Sequence, residues 1–321
     1  MKKISVVVPT YNEIENVRAL RDAVAAVFAQ RLPQYEYEMI FIDNCSADGT
    51  REELAALCTE DAHVKAILNA KNFGQFNSPY YGLLQSGGDA TVLLAADFQD
   101  PVELIPQFVQ EWEKGWRIVI GIKTASHENP LMYGLRSLYY RIIKRLSATE
   151  QIEHFTGFGL YDRAFVEVLR GLNDPSPFLR GVVAELGFPH KDIPYTQPAR
   201  RAGKTSNNWY RLYDAAMLSF TSYTKIGLRL ATLLGFGIAA LSLLVGLVYL
   251  VLKLVFWERF TAGMTPLLIG IFFMGAVQLI FTGFLGEYIM SINTRVMRRP
   301  LVVEEKRLGF EKKEGEQQEG E

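Results

Sequence analysis

Cysteine is nearly absent. Cys45 and Cys58 are too few and too unpatterned for a disulfide framework or a zinc site, and they are expected to be ordinary buried thiols in a reducing compartment. Four histidines, His63, His127, His154 and His190, are scattered without metal-ligand spacing. Charge of one sign is also lacking: 34 Lys and Arg face 35 Asp and Glu, a net of −1, which gives no electrostatic ground for nucleic acid as a partner. No G-x-G-x-x-G or G-x-x-x-x-G-K follows the first apolar run, so a dinucleotide or P-loop site is disfavoured. Met1-Lys2-Lys3 leads into only a short apolar run before Pro9, too short for the core of a signal peptide.

Charge is missing altogether from two longer stretches. Leu230 to Leu252 carries none and is bracketed by Arg229 and Lys253; Met264 to Gly286 carries none and closes at Glu287. Each exceeds the ~20 residues that a helix needs to cross a bilayer core, and two in succession disfavour a buried helix of a soluble protein. Two spans, about 229–253 and 264–290 within 226–292, are expected to form a transmembrane hairpin. Arg200, Arg201, Lys204, Arg211, Lys225 and Arg229 precede the first, and Arg295, Arg298 and Arg299 follow the second, against Lys253 and Arg259 between them. The excess predicts a multi-pass protein of the cytoplasmic membrane with both termini in the cytoplasm. Trp209, Leu212, Tyr213, Met217, Phe220 and Tyr223 recur at helical spacing, so 208–225 reads as an amphipathic helix at the interface, or alternatively as an ordinary core-facing helix. The 293–321 tail is polar, and beyond Val303 it is expected to be unstructured.

What is present in the first 125 residues is alternation. Ile4–Pro9, Glu38–Asp43, Val64–Leu68, Ala90–Ala95 and Arg117–Ile122 read as strands; Glu15–Gln30, Asn77–Gln85 and Val102–Lys114 read as helices, with a turn over Ser46–Thr50 able to cap another. Such a pattern predicts an α/β domain over 1–207 with a mainly parallel sheet. Ligands of such sheets lie beyond the carboxyl ends of the strands, where Thr10 to Glu13, Asp43-Asn44 and Asp97 to Asp100 fall.

These clusters carry a resemblance. Val7-Val8-Pro9-Thr10-Tyr11-Asn12-Glu13, Ile42-Asp43-Asn44-Cys45-Ser46-Ala47-Asp48-Gly49-Thr50 and Asp97-Phe98-Gln99-Asp100-Pro101 resemble the successive motifs of family 2 glycosyltransferases of GT-A fold, a Rossmann-like mainly parallel α/β domain. The third motif, with a two-helix carboxy-terminal hairpin, is similar to the branch that glycosylates polyprenyl phosphates, which includes dolichyl-phosphate mannose synthase. The resemblance implies inverting transfer of a sugar from a UDP- or GDP-linked donor to a polyprenyl phosphate. It implies that Pro9, Tyr11, Asn12, Glu13, Asp43 and Asn44 hold the nucleotide sugar, with Asp97, and that Asp97 and Gln99 hold Mg²⁺ or Mn²⁺. Asp43 to Thr50 can also be a plain Asx-capped turn. For Asp100, capping of the helix that Pro101 starts is the favoured role. Three positions depart from the family pattern. Ala95 stands where an acid usually lies two places before Asp97, Asn44 replaces a second aspartate, and Thr156-Gly157-Phe158-Gly159 replaces Gly-Asp-Phe-Arg.

A phosphate monoester has its second pKa near ~6 and is largely dianionic at neutral pH, so it needs cations and positioning more than a general base. Lys123, Arg136, Arg200, Arg201, Lys204 and Thr205 are the candidates for holding it, with Asp97, Arg136, Arg201 and Lys204 serving the chemistry. Arg141, Lys144 and Arg145 can equally face anionic lipid. Two rivals stand beside this reading: a hydroxyl acceptor, with Asp162 or Glu185 as base, and a non-catalytic membrane subunit that binds nucleotide sugar. No Gln-x-x-Arg-Trp segment is present, which disfavours a processive synthase. A two-helix hairpin is able to pack with copies of itself into a homo-oligomer.

Overall fold

A computed structural model describes residues 1–125, 152–198, 201, 226–255 and 264–310. The chain divides into two compact units, one of 1–140, 150–208 and 298–321, the other of 141–149 and 209–297.

The first unit is built on an eight-stranded mixed sheet. Its strands are β1 Lys3–Thr10, β2 Glu36–Asp43, β3 Val64–Asn69, β4 Ala90–Leu93, β5 Ile118–Ala125, β6 Phe155–Asp162, β7 His190–Thr196 and β8 Glu304–Leu308, in the spatial order β7-β5-β6-β4-β1-β2-β3-β8. The β4-β1-β2-β3 block is parallel, and β5 pairs in parallel with β7. Strand β6 runs antiparallel between β4 and β5, and β8 is antiparallel at the β3 edge. The mainly parallel α/β expectation is met, with two antiparallel insertions that the alternation pattern did not announce.

Side chains of one strand alternate between two cores. Ile4, Val6 and Val8 of β1 join Val17, Leu20, Val24 and Phe28 of α1 (Ile14–Arg31), Leu54 and Leu57 of α2 (Thr50–Glu60) and Phe108 of α4 (Ile105–Glu113). Val7 points the other way, to Tyr80 and Leu83 of α3 (Gly74–Gln85), Phe165 and Leu169 of α5 (Arg163–Leu172) and Val182 of α6 (Leu179–Glu185). Burial on both faces explains the continuous apolar strands. Helix α3 sits so close to β1 that a Cβ on Gly82 would lie 2.6 Å from Val7 Cγ1.

The expectation of an unstructured tail beyond Val303 is corrected over β8. Its Glu-Glu-Lys-Arg-Leu sequence lacks apolar alternation because an edge strand facing solvent tolerates charge. Its arginine, Arg307, donates to Gln85 and to the Tyr81 hydroxyl, and Ala70 N–H donates to the Val303 carbonyl at 2.9 Å.

The second unit holds α7 (Ile226–Val255) and α8 (Met264–Val296). Among the described residues, Phe273–Val296 alone is long and apolar enough to cross a membrane; Thr232–Val248 is a shorter apolar stretch. Helices form at both expected places, but the length and apolarity of a span are met at one of them. The 208–225 segment lies outside the described residues.

Candidate active site

Strands β1 and β2 finish in register, Thr10 opposite Asp43, so the loops that leave them run side by side. They are stitched together by their own polar groups. Asn12 N–H donates to Ser46 Oγ at 2.8 Å while Asn12 Oδ1 accepts from Ala47 N–H at 2.9 Å. Glu13 N–H donates to Thr50 Oγ1 at 2.9 Å, and Ile14 N–H donates to Asp48 Oδ2 at 3.2 Å. Asn12 and Cys45 have φ of 57° and 64°, the left-handed conformation that such a tight exchange requires.

Asp43 lies beneath this exchange with 0% of its surface exposed. Its Oδ1 accepts from Ser46 Oγ at 2.5 Å and Thr10 Oγ1 at 3.2 Å, and its Oδ2 accepts from Ser46 N–H at 2.9 Å. The Asx-turn role is therefore realised. Asn44 is a second hub. Its Oδ1 accepts from Ser78 Oγ, Phe73 N–H and Asn69 Nδ2 at 2.7, 3.0 and 3.3 Å, and its Nδ2 donates to the Gly74 carbonyl at 3.1 Å. An aspartate cannot make that last donation, which accounts for the first departure from the family pattern. What this edge turns outward is Tyr11, 39% exposed, and beside it Pro9, which lines the neighbouring cleft.

The loop after β4 is organised by one buried carboxyl. Asp100 Oδ2 accepts from Ala95 N–H at 3.1 Å and Oδ1 accepts from the Tyr195 hydroxyl at 3.1 Å. No side chain caps the turn that follows Pro101, so the helix-capping role expected for Asp100 is corrected. It closes its own loop and ties it to β7. Burial, with the Asp97 charge adding to it, pushes the Asp100 carboxyl up to about 6, against the bonds from Ala95 and Tyr195 and the nearby Lys123. Asp97 is 6% exposed; its Oδ1 accepts from Gln99 N–H at 3.1 Å. Phe98 between them has φ 61°. Arg201 joins this loop, its N–H donating to the Asp97 carbonyl at 3.3 Å and its guanidinium standing 5.2 Å from the Phe98 ring centre.

Between the loops opens a cavity of about 210 Å³, bounded by Pro9, Ala95, Asp100, Thr156, Gly157 and Arg180 among others. Asp97, Gln99 and Arg201 belong to the loop that Asp100 closes and do not line the cavity, Lys123 carries its charge near Asp100, and Arg136, Arg200, Lys204 and Thr205 lie outside the described residues. Sequence reasoning missed Arg180, Tyr195 and Asn69. Arg180 follows Phe178-Leu179 with no motif around it, and the Tyr195–Asp100 bond joins residues 95 positions apart. The Gly157 and Gly159 departures are fixed by backbone. Gly157 has φ 105°, and a Cβ on Gly159 would stand 2.5 Å from the Val119 carbonyl.

The residues fit a divalent ion only in a restricted sense. Among the described residues no three His, Cys, Asp or Glu side chains cluster as a metal cage, Ala95 offers no side-chain oxygen, and both Asp100 oxygens accept hydrogen bonds. Asp97 with the Gln99 amide is the donor set that remains, which suits an ion that keeps waters and takes its other ligands from a substrate's phosphates.

An α/β sheet with polar loops converging at the carboxyl ends of β1, β2 and β4, beside a cleft that Asp100 and Arg180 line, is the architecture of an enzyme whose ligand lies at the ends of its strands. The chain belongs to the glycosyl transferase family 2, whose sequence profile matches residues 5–169. It is 32% identical over 93% of its length to a prophage-derived bactoprenol glucosyl transferase of Shigella flexneri, covering 96% of that protein. It is 29% identical, over 93% of its length and 97% of theirs, to a prophage bactoprenol glucosyl transferase homolog of Escherichia coli K12. A solved mannosyltransferase of Pyrobaculum calidifontis, in complex with GDP-Man and Mn²⁺, superposes with TM-score 0.45 and 17% identity over 69% of this chain and 61% of that one. At that distance none of its properties is transferable.

Proposed function

We propose that this glycosyltransferase moves a sugar, with inversion, from a nucleotide diphosphate sugar to a polyprenyl phosphate at the cytoplasmic face of the membrane. The observation that carries the reading is the cleft shared by Pro9, Ala95, Asp100 and Arg180, in a chain whose relatives over 93% of its length include bactoprenol glucosyl transferases. The nucleoside lies against Pro9 and Tyr11, on the surface that Asn12, Glu13, Asp43 and Asn44 hold in shape. Asp97 and Gln99 are the residues that hold Mg²⁺ or Mn²⁺, which when bound neutralises the charge growing on the departing nucleotide. Lys123, Arg180 and Arg201 bring cations to the side of the cleft where the acceptor phosphate enters, with Arg136, Arg200, Lys204 and Thr205 completing that set. The acceptor oxygen is already deprotonated, so these cations orient it and no side chain takes its proton.

The apolar helices support membrane attachment. Leu233, Phe236, Leu279 and Ile280 are 69, 72, 74 and 60% exposed, a surface that water would not tolerate over this length. The two spans form a hairpin with both termini in the cytoplasm, the 208–225 helix lies at the interface, and the hairpin can self-associate.

The hydroxyl-acceptor rival loses one candidate base. Asp162 caps α5 through Ala164 N–H at 2.8 Å and accepts from Trp112 Nε1 at 2.8 Å. A radiolabelled transfer assay in native membranes, offering UDP- and GDP-sugars with undecaprenyl phosphate, tests the proposal. The expected outcome is an organic-extractable, acid-labile product that needs a divalent ion. Nucleotide binding without any lipid product would reject it.

A further inference from the structure

Strand β8 brings one acid to the back of the β1–β2 edge. It pairs with β3 from Ala66 opposite Leu308 to Asn69 opposite Glu304, so its first residues reach the carboxyl end of the sheet. There Glu305 Oε2 accepts from Arg51 Nη2 at 2.7 Å, across 254 positions of sequence. Arg51 sits in the first turn of α2, directly after the loop that carries Asp43 to Thr50. Its Nε points toward Asp43 and stops 3.8 Å from Oδ2, beyond hydrogen-bond length. That Nε is buried and has no hydrogen-bond partner.

The Nε thus lies within ion-pair range of a buried carboxylate without a hydrogen bond to it, and places positive charge beside Asp43. Thr10 and Ser46 supply three bonds to Asp43, out of about four that a carboxylate can accept. The remaining position faces Arg51. Glu305 fixes the far end of the guanidinium and so keeps its charge beside Asp43, on the side of the loop that Thr10 and Ser46 leave open.

We propose that Arg51 and Glu305 are positioning residues of the donor site, and that the carboxy-terminal strand thereby sets the affinity for the nucleotide. The inference rests on the β1–β2 edge being the nucleoside surface. Removing the Glu305 charge releases Arg51, shifts the loop that carries Cys45 and Ser46, and weakens nucleotide binding with no change at the acceptor side.

The test uses the full chain in detergent, with UDP and GDP as probes in titration calorimetry and with steady-state transfer kinetics. Glu305→Gln and Arg51→Met are compared with Arg307→Gln, a control in the same strand whose bonds go to Glu304, Tyr81 and Gln85 and not toward Asp43. Glu305→Gln and Arg51→Met are expected to weaken nucleotide binding ~5- to 10-fold and to raise the donor KM, leaving the acceptor KM alone. Arg307→Gln lowers the thermal midpoint without moving the nucleotide Kd. The double variant is no worse than Arg51→Met. Wild-type nucleotide affinity in Glu305→Gln, or an equal loss in Arg307→Gln, overturns the inference alone. A wild-type chain that binds neither nucleotide overturns the donor-site reading together with it.

Discussion

At the ends of β1 and β2 the polar side chains bond to one another, whereas the loop after β4 borders a cleft and carries two buried acids, Asp97 and Asp100. Asp43, Asn44, Ser46, Asp48 and Thr50 each hold a neighbouring loop or helix end, and the surface they leave outward is an aromatic ring and backbone. After β4 one carboxyl, Asp100, closes its own loop, Asp97 accepts from the Gln99 N–H, and Arg201 packs over the adjacent phenyl ring. Under the proposed function, the difference separates two tasks. A nucleoside is recognised by a stiff, preorganised edge, and a pyrophosphate by charges placed where charge will develop. Substitutions at the two sites should therefore fail differently.

The largest effect is expected at Asp97. Asp97→Ala should lower turnover ~10²- to 10³-fold, the scale for loss of one charge stabiliser, with the thermal midpoint nearly unchanged. Transfer assays and melting curves on the same preparation check it. A variant that melts early and retains turnover would place Asp97 among the structural carboxylates and erase the contrast.

Asp43→Ala should show the reverse balance. It strips the acceptor from the Thr10 and Ser46 hydroxyls and the Ser46 N–H while Arg51 keeps its pair with Glu305, a cost of ~2–3 kcal/mol. Urea unfolding of the full chain, followed by the signal of the first unit, measures it. Stability within ~1 kcal/mol of wild type would mean that Asp43 is held for the ligand and not for the loop.

How far the sequence led at each edge follows from the range of the interactions. Strands β1 to β5 and the helices between them were legible because burial on both faces writes itself as apolar runs. Strands β6, β7 and β8 were not, since antiparallel insertion and edge pairing depend on partners far along the chain, as Leu160 opposite Val92 and Val119 shows. The motifs located the site. They did not reveal that Asp43 and Asn44 face inward, or that Asp100 reaches Tyr195, because the same short polar residues serve turns and ligands alike.

A carboxylate remote from both loops calibrates the structural class. Glu38, at the opposite end of β2, accepts from Lys3, Lys65, Ser5 and Gly87 at 2.8, 2.8, 2.6 and 2.9 Å. Burial alone would raise its pKa, but these four donors hold it down to about 2. A depressed carboxylate stabilises the fold above its unfolded pKa of about 4.5, and that contribution is lost as pH falls from there to about 2. Glu38→Gln is expected to cost ~2–3 kcal/mol at pH 7, and the gap from wild type should close as pH drops through that window. A gap independent of pH would show that geometry and not charge is what Glu38 supplies.

The smallest effect bears most directly on the departure from the family pattern. Asn44→Asp restores the acid that the resemblance leads one to expect there, and if Asn44 were a weakened ligand it should gain donor affinity. The geometry predicts a loss. Three donors already converge on Asn44 Oδ1, and the second oxygen of an aspartate would face the Gly74 carbonyl at the 3.1 Å now spanned by Nδ2–H. Exchanging a donation for a contact between two acceptors should cost ~1–2 kcal/mol and loosen the start of α3, whose Gln75 and Phe76 line the cleft. Nucleotide affinity is then expected to fall or stay level. If Asn44→Asp binds donor more tightly at unchanged stability, the β1–β2 edge is not the sealed surface described for it, and its polar side chains turn toward the ligand when the ligand arrives.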